Sequence, residues 1–295
     1  MFRHSKSQKP NVAIIGAGTL ATTLARALHR KHYRISEIVS RNNPQSLRRA
    51  RALARDLGSR AATLDEGELS SGIVWICVPD DSVAGVAAQV ANSRDWTGKI
   101  AVHSSGALSS DSLAPLKRRG AEVASAHPLM TFVSSSLPQL TGVPFAIEGD
   151  AKAVAKVKAI IRSLGGKPFQ MGKNEKPAYH AFGFFSSPAI VALIAAASEV
   201  GKLAGLDAKR ARSLMEPIVR QTIDNCFRTS PQEAFSGPVR RGDVETIRKH
   251  LQVLRPEPHL RDVYRSLVRI ALNDLPSAKS EQIAKLINDG NGRSS

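Results

Sequence analysis

The 295-residue chain is poor in several residue types, and each scarcity excludes something. It has two cysteines, Cys77 and Cys226, far apart and in neither a C-x-x-C nor a metal-ligand spacing. A disulfide scaffold and a cysteine-based metal centre are thereby excluded, and no oxidising compartment is required. Cys77 lies inside an apolar run and reads as an inert buried thiol. Aromatic residues make up 5% of the chain, and no zinc-finger, RNP-type or basic-zipper pattern occurs. That disfavours nucleic acid as a partner. The N-terminal MFRHSKSQKP is basic but lacks the apolar core of a signal peptide. The longest apolar helix is expected over 189–197, too short to cross a bilayer. A cytoplasmic protein with no membrane partner is the simplest expectation. There is no repeat or low-complexity tract, and tails over 1–10 and 288–295 are expected to be disordered.

Acidic residues are also scarce, 25 against 42 lysines and arginines, a formal charge of +17. The excess is concentrated early, where thirteen cations from Arg3 to Arg60 face only Glu37 and Asp56. Such a balance attracts anions: a phosphorylated cofactor, an acidic substrate or, as an alternative, nucleic acid. A hydrophobic fraction of 42% supports a sizeable core. The length suggests two domains or one large one.

The most informative stretch is Asn11–His32. Val12-Ala13-Ile14-Ile15 carries no charge and reads as a strand buried on both faces. It breaks into Gly16-Ala17-Gly18-Thr19-Leu20-Ala21 and resumes with Leu20, Leu24, Ala27 and Leu28 at helical spacing. Strand, glycine turn and helix in that order form the context of a dinucleotide fingerprint. Gly16 allows the tight turn and Gly18 the close approach of a pyrophosphate, while Ala21 lets the helix lie on the strand. The free N–H groups at the new helix's start would hold the phosphates. A second strand, Tyr33–Val39, ends at Ser40-Arg41. NAD-type folds place an Asp or Glu at this tip, about 20 residues past the glycines, for the ribose 2′-hydroxyl. A hydroxyl and a guanidinium instead welcome a 2′-phosphate, so NADP(H) is preferred over NAD.

A helix over Gln45–Leu57 follows, with Gly58 as its C-cap; Arg48 is a candidate for the adenosine end. The strand Ile73–Val78 runs into Pro79-Asp80-Asp81-Ser82 and a helix reaching Val90. Val78, Pro79 and Asp80 then lie beyond a strand's carboxyl end, where doubly wound folds bind ligands; Asp80 or Ser82 serves equally well as a helix cap. Strand Lys99–His103 leads to Ser104-Ser105-Gly106, placing Ser104 toward cofactor and Ser105 toward substrate. A helix near Asp111–Arg119 and strand Glu122–Ala126 lead to His127-Pro128. His103 reads as a hydrogen-bonded core residue, while His127 is poised between function and structure. Strand Val143–Ile147, helix Ala151–Leu164 and strand Lys167–Met171 complete a mostly parallel, doubly wound α/β domain over 11–172. An all-helical domain follows over 173–287. It is expected to contain helices from Pro188 to Gly205, from the N-cap Asp207 to Cys226, from the N-cap Asp243 through Leu254, and over His259–Asn273.

The order G-A-G-T-L-A, V-P-D-D, H-S-S-G, H-P-L-M-T-F, Y-H and S-G-P-V-R-R-G-D resembles bacterial Rossmann-like proteins whose C-terminal half is a catalogued domain of unknown function. Their architecture is related to pyrroline-5-carboxylate reductase, ketopantoate reductase, 6-phosphogluconate dehydrogenase and deazaflavin-dependent NADP oxidoreductases. The likeness runs over about residues 11–272, and its last motif is the distinctive one. It implies an NADP-binding domain and a helical domain paired in a homodimer, with Gly16, Gly18, Thr19, Leu20 and Arg41 on the cofactor and Val78 and Pro79 beside its nicotinamide. By the same resemblance, the substrate's proton is handled near Lys176 and Tyr179-His180.

The reading is an NADP(H)-dependent oxidoreductase of a small anionic keto, imino or hydroxy acid. Its catalytic candidates are His180, Lys176 and His127. Arg241 would clamp a substrate carboxylate beside Asp243; the two equally form a self-contained salt-bridged turn. Two further alternatives stand. One is a non-catalytic NADP-binding sensor or partner-binding module, since Ser187-Pro188 stands where related dehydrogenases often carry Asn. The other is a prephenate-type dehydrogenase, which also places His-Pro after a strand.

Overall fold

A computed structural model describes residues 9–133 and 137–289. The chain divides into two compact units, the first ending at Ser187 and the second beginning at Pro188.

The first unit is built on an eight-stranded sheet. Its strands are β1 (Val12–Ile15), β2 (Ile35–Ser40), β3 (Arg60–Thr63), β4 (Ile73–Ile76), β5 (Ile100–His103), β6 (Glu122–Pro128), β7 (Pro144–Gly149) and β8 (Lys167–Gln170), in the order β3-β2-β1-β4-β5-β6-β7-β8. Neighbouring strands are parallel except β6 and β7, which are antiparallel. Between them lie α1 (Thr19–Arg30), α2 (Pro44–Leu57), α3 (Asp80–Asn92), α4 (Ala114–Lys117) and α5 (Ala151–Ser163), and α6 (Lys176–Ser186) closes the unit.

The two-residue period of the strands explains the layers. Val12 and Ile14 of β1 pack with Leu24, Leu28, Leu53 and Ile160 on one face. Ala13 and Ile15 pack with Val83, Val86 and Leu116 on the other. All four residues are buried, so the strand needs the unbroken apolar run the sequence supplies. The strand order reverses between β1 and β4, which is where this class of sheet opens a crevice at its carboxyl edge.

The expected doubly wound α/β domain and helical second part are both present. Differences lie at particular elements. β3 is not expected from the sequence, because R-A-A-T offers no apolar run. The helix expected near Asp111–Arg119 is a 3₁₀ turn over Ser110–Leu113 followed by the short α4. The units divide at Ser187 rather than at 172/173, because Lys176 at the start of α6 is buried among first-unit groups. The tails expected to be disordered lie largely outside the described residues. Within them, Lys9 donates to the Lys31 carbonyl and Asn288 closes the last helix.

The second unit contains α7 (Pro188–Leu203), α8 (Ala208–Arg228), α9 (Pro231–Ala234), α10 (Pro238–Arg241), α11 (Val244–Val253), α12 (Pro258–Asp274) and α13 (Ser280–Asn288). Asp207 caps α8 as expected, accepting from the Arg210 N–H at 2.8 Å. A small core of Val239, Ile247, Leu251, Val268, Ala271, Ile283 and Ile287 joins α10 to α13. By contrast α7 has no buried residue, and α8 buries only Ala211. The helical run Lys173–Leu203 contains an 18-residue stretch with a mean hydropathy of 1.8, and is long and apolar enough to cross a membrane by length and composition. That corrects the expectation of a short apolar helix at 189–197: Pro188 interrupts the sequence pattern, but the aromatic residues of α6 extend the apolar run ahead of it.

Candidate active site

Beyond the carboxyl ends of β1, β2 and β4 lies a cleft of about 260 Å³. The glycine turn forms its floor. Gly16 has φ +121°, and a Cβ there would meet the Cys77 carbonyl oxygen at 2.2 Å, so only glycine fits. Gly18 has an ordinary φ of −80° and nothing within 4 Å of a would-be Cβ. Its bareness therefore serves no packing purpose in the chain itself. Gly18 is also the N-cap of α1 and makes no side-chain cap, and the first turn has no acidic residue. The open N–H groups and positive dipole end are left for an anion.

Ser40, Arg41, Ser46 and Arg49 line the same cleft, and among the described residues no carboxylate does. The nearby acid, Glu37, is buried and turned away, accepting from the backbone N–H groups of Leu69 at 2.5 Å and Glu68 at 3.1 Å. Val78, Pro79 and Val86 supply an apolar wall. Cys77 also lines it, its thiol pushed up to about 12 by burial, which makes it a poor nucleophile.

A second cluster gathers at the ends of the next two strands, β5 and β6. The Lys176 ammonium is buried and donates to the Ser105 carbonyl at 3.0 Å and to Ser125 Oγ at 2.7 Å. Burial lowers its affinity for the proton, while the charges of Glu148 and Asp80 restore part of it. His103 accepts from the Ser105 N–H at Nδ1, so its proton sits on Nε2, facing the Ser109 carbonyl at 3.0 Å. Burial depresses His103 to about 4. His127 is likewise held at about 4, first by burial and then by the charge of Lys176. Its ring lies 6.1 Å from that of the exposed His180 and 5.5 Å from that of Tyr179. Gly106 sits between the two imidazoles: a Cβ there would come 2.6 Å from His180 and 2.9 Å from His127 Nε2.

Comparison with known proteins agrees with this geometry. Residues 3–128 match the model of a Rossmann-like domain, and residues 143–270 match DUF2520, a domain of unknown function. The chain is a Rossmann-like protein with a DUF2520 C-terminal domain. Among curated proteins none matches it. Among solved structures it is similar to BF3122 of Bacteroides fragilis, provisionally assigned as an NADP oxidoreductase. That pair shares 24% identity over 89% of this chain and 98% of the other, with a TM-score of 0.75. It is also similar to protein TM1727 of Thermotoga maritima, at 28% identity over 88% and 96% of the two chains, TM-score 0.69. A reductive aminase of Aspergillus terreus in complex with NADPH and ethyl levulinate shares the fold at 16% identity over 93% and 98%, TM-score 0.66.

In this Rossmann-like/DUF2520 chain the site residues expected from sequence land unevenly. Gly16, Gly18, Ser40, Arg41, Val78 and Pro79 line the cleft together; Thr19 and Leu20 follow as the first turn of α1. Arg49 takes the place expected for Arg48, which is exposed elsewhere on α2. Ser104 does not face the cleft, because its hydroxyl accepts from Trp75 Nε1 at 2.8 Å. The Ser105 hydroxyl accepts from the N–H groups of Ala107 and Leu108, which commits its oxygen to the local turn and leaves its own O–H to donate. Asp80 opens α3 with no cap bond, and its charge acts on His127, His103 and Lys176. Lys176 is too buried to touch a substrate directly.

In the second unit, Arg241 reaches Asp243 Oδ2 at 2.9 Å from Nε and 2.7 Å from the guanidinium terminus. The two thus form the self-contained turn, and Asp243 makes no cap bond to α11 because its carboxylate is already engaged. Ser125 joins the cluster without being singled out in advance, and Tyr179, expected only as part of the Tyr179-His180 pair, contacts His127. A serine or tyrosine at a strand or helix position carries no signal until its neighbour is known.

Proposed function

We propose that the chain is an NADP(H)-dependent oxidoreductase acting on a carbonyl or imine carbon of a small anionic keto, imino or hydroxy acid. The observation that carries this is the cleft at the β1/β4 reversal: bare glycine backbone at one end, Arg41 and Arg49 at the other, and no carboxylate among its described lining residues. The donor set fits a 2′-phosphorylated dinucleotide. The N–H groups around Gly18 and the start of α1 would hold the diphosphate, Ser40, Arg41, Ser46 and Arg49 the 2′-phosphate, and Val78 and Pro79 would flank the nicotinamide. When bound, NADPH supplies a hydride.

The chain's own part is orientation and proton supply. The Ser104-Ser105-Gly106 turn, braced from behind by Lys176, presents bare backbone between His127 and His180. His180, open to solvent, gives the proton that the reduced oxygen or nitrogen requires and regains it from water. Lys176 acts behind the turn, keeping the local potential positive for an anionic substrate.

The test is the double variant Arg41→Ala/Arg49→Ala. It should bind NADPH more weakly by about 100-fold or more, with NADH binding nearly unchanged, since each of the two lost charge-assisted contacts is worth about 1.5–3 kcal/mol. Wild-type protein should consume NADPH with members of a panel of keto and imino acids. Tight NADPH binding without turnover across the panel would instead favour a non-catalytic sensor.

We infer that the partner is a second copy of the chain. Within the second unit, Val191, Leu214, Ile218 and Phe227 are exposed on helices that bury almost nothing. Exposed apolar area of that extent marks an interface. Sedimentation should give a dimer, and Ile218→Asp/Phe227→Glu should convert it to monomers or aggregates.

A further inference from the structure

Two groups in the histidine cluster have no role in the reading above: Tyr179 and the neutral ring of His127. The Tyr179 hydroxyl lies 3.2 Å from His127 Nδ1, and the rings meet edge-on at 85°. Phe169 also meets the Tyr179 ring edge-on, 6.0 Å centroid to centroid. The remaining ring nitrogen of His127, Nε2, is turned toward Gly106, where a Cβ would approach within 2.9 Å.

The proton can be placed from these contacts. Burial pushes the Tyr179 phenol up to about 12, so it keeps its hydrogen at neutral pH. His127 Nδ1 is the one acceptor within hydrogen-bond reach of that phenol among the described residues. The arrangement that satisfies the phenol's donor has it donate to Nδ1, with the single imidazole proton on Nε2. The charged and titratable groups acting on His127 are Lys176, His180, Asp80 and His103, with Tyr179 in contact. One carboxylate faces three bases, and charging the ring would add a cation beside the buried ammonium.

We propose that Tyr179 is a positioning residue that locks His127 as the neutral Nε2–H form, and that this N–H selects a carbonyl substrate over a protonated imine at the Gly106 seat. The substrate half rests on the oxidoreductase reading; the tautomer half does not. A carbonyl oxygen offers lone pairs to Nε2–H at every stage of its reduction. An iminium nitrogen has no lone pair and carries its own N–H, so the two donors would oppose one another. His127 then polarises the acceptor without giving up its proton, and the proton that completes the alcohol still comes from His180. The substrate class that follows is a keto acid, not a cyclic iminium acid.

Nitrogen-15 NMR of the histidine rings tests the first half without any turnover. His127 should show the neutral Nε2–H signature from pH 7 to pH 5 in wild type and a mixture of tautomers in Tyr179→Phe. A charged ring at pH 7, an Nδ1–H signature, or an unchanged spectrum in Tyr179→Phe overturns it. In kinetics, Tyr179→Phe should lose about tenfold in kcat with keto acids while NADPH affinity stays constant. His127→Gln, whose amide N–H can replace Nε2–H, should retain more activity than His127→Asn. Wild type should reduce keto acids at least about tenfold faster than cyclic iminium acids; the reverse preference overturns the substrate half. NADPH binding with no turnover of either class overturns the oxidoreductase reading itself and takes the substrate half with it, while the tautomer half still stands or falls on the NMR spectra.

Discussion

Gly16→Ala should cost the chain much of its stability, whereas Gly18→Val should cost it only its cofactor. At Gly16 a Cβ would sit 2.2 Å from the Cys77 carbonyl oxygen at φ +121°. The backbone cannot slide away, because the Gly16 N–H donates to the Val39 carbonyl at 2.8 Å and the Cys77 N–H to the Ile15 carbonyl at 2.7 Å. Left-handed strain of about 1–3 kcal/mol adds to overpacking of about 1–3 kcal/mol. The sum, about 2–6 kcal/mol, is a large share of the stability of an ordinary domain. Urea denaturation measures it. Gly18 has open space and an unstrained φ, so Gly18→Val should denature within about 1 kcal/mol of wild type. Its new side chain would occupy the diphosphate's place, and NADPH affinity should fall about 100-fold or more. Two variants in the same turn would thus separate folding from binding.

The second large effect is a loss of stability in mild acid. His103 and His127 are held at about 4 in the folded chain, against an ordinary 6.5. Between those values the unfolded chain takes up two protons that the folded chain refuses. The stability from these rings is therefore full above pH 6.5, is lost as pH falls toward 4, and changes no further below that. Complete expression would amount to about 3 kcal/mol per ring at most. The lowered carboxylates, such as Glu66 and Asp95, start from ordinary values of 4.5 and 3.8 and exert their effects at lower pH. Stability measured from pH 6.5 to 5 thus reports the histidines, and His127→Asn should flatten about half of the slope.

Much of this architecture is legible in the residues themselves. The uncharged run of β1, the glycines after it and the period of α1 specify a strand, a turn and a helix by independent physical signals that agree. Gly58 ends α2 in the left-handed conformation, as expected of a C-cap glycine. What escapes the sequence is direction and partnership. Arg48 and Arg49 differ by one position, yet a helix turns about 100° per residue, and only Arg49 reaches the cleft. Ser104 and Ser105 look like ligand hydroxyls, but their oxygens already accept from Trp75 and from the N–H groups of the local turn. Lys176 looks like a surface helix start, and its burial depends on Ser105 and Ser125, 71 and 51 residues away in sequence. β3, an edge strand without an apolar run, is identifiable only from its pairing with β2.

The most direct measurement is calorimetric titration of the folded wild-type protein with NADPH and then with NADH. One site per chain is expected, with NADPH bound at least about tenfold more tightly and with an affinity that weakens as salt rises. Absence of heat with either nucleotide from protein shown to be folded, or equal affinity for both, would contradict the assignment of the Gly16–Gly18 turn and its Arg41–Arg49 rim.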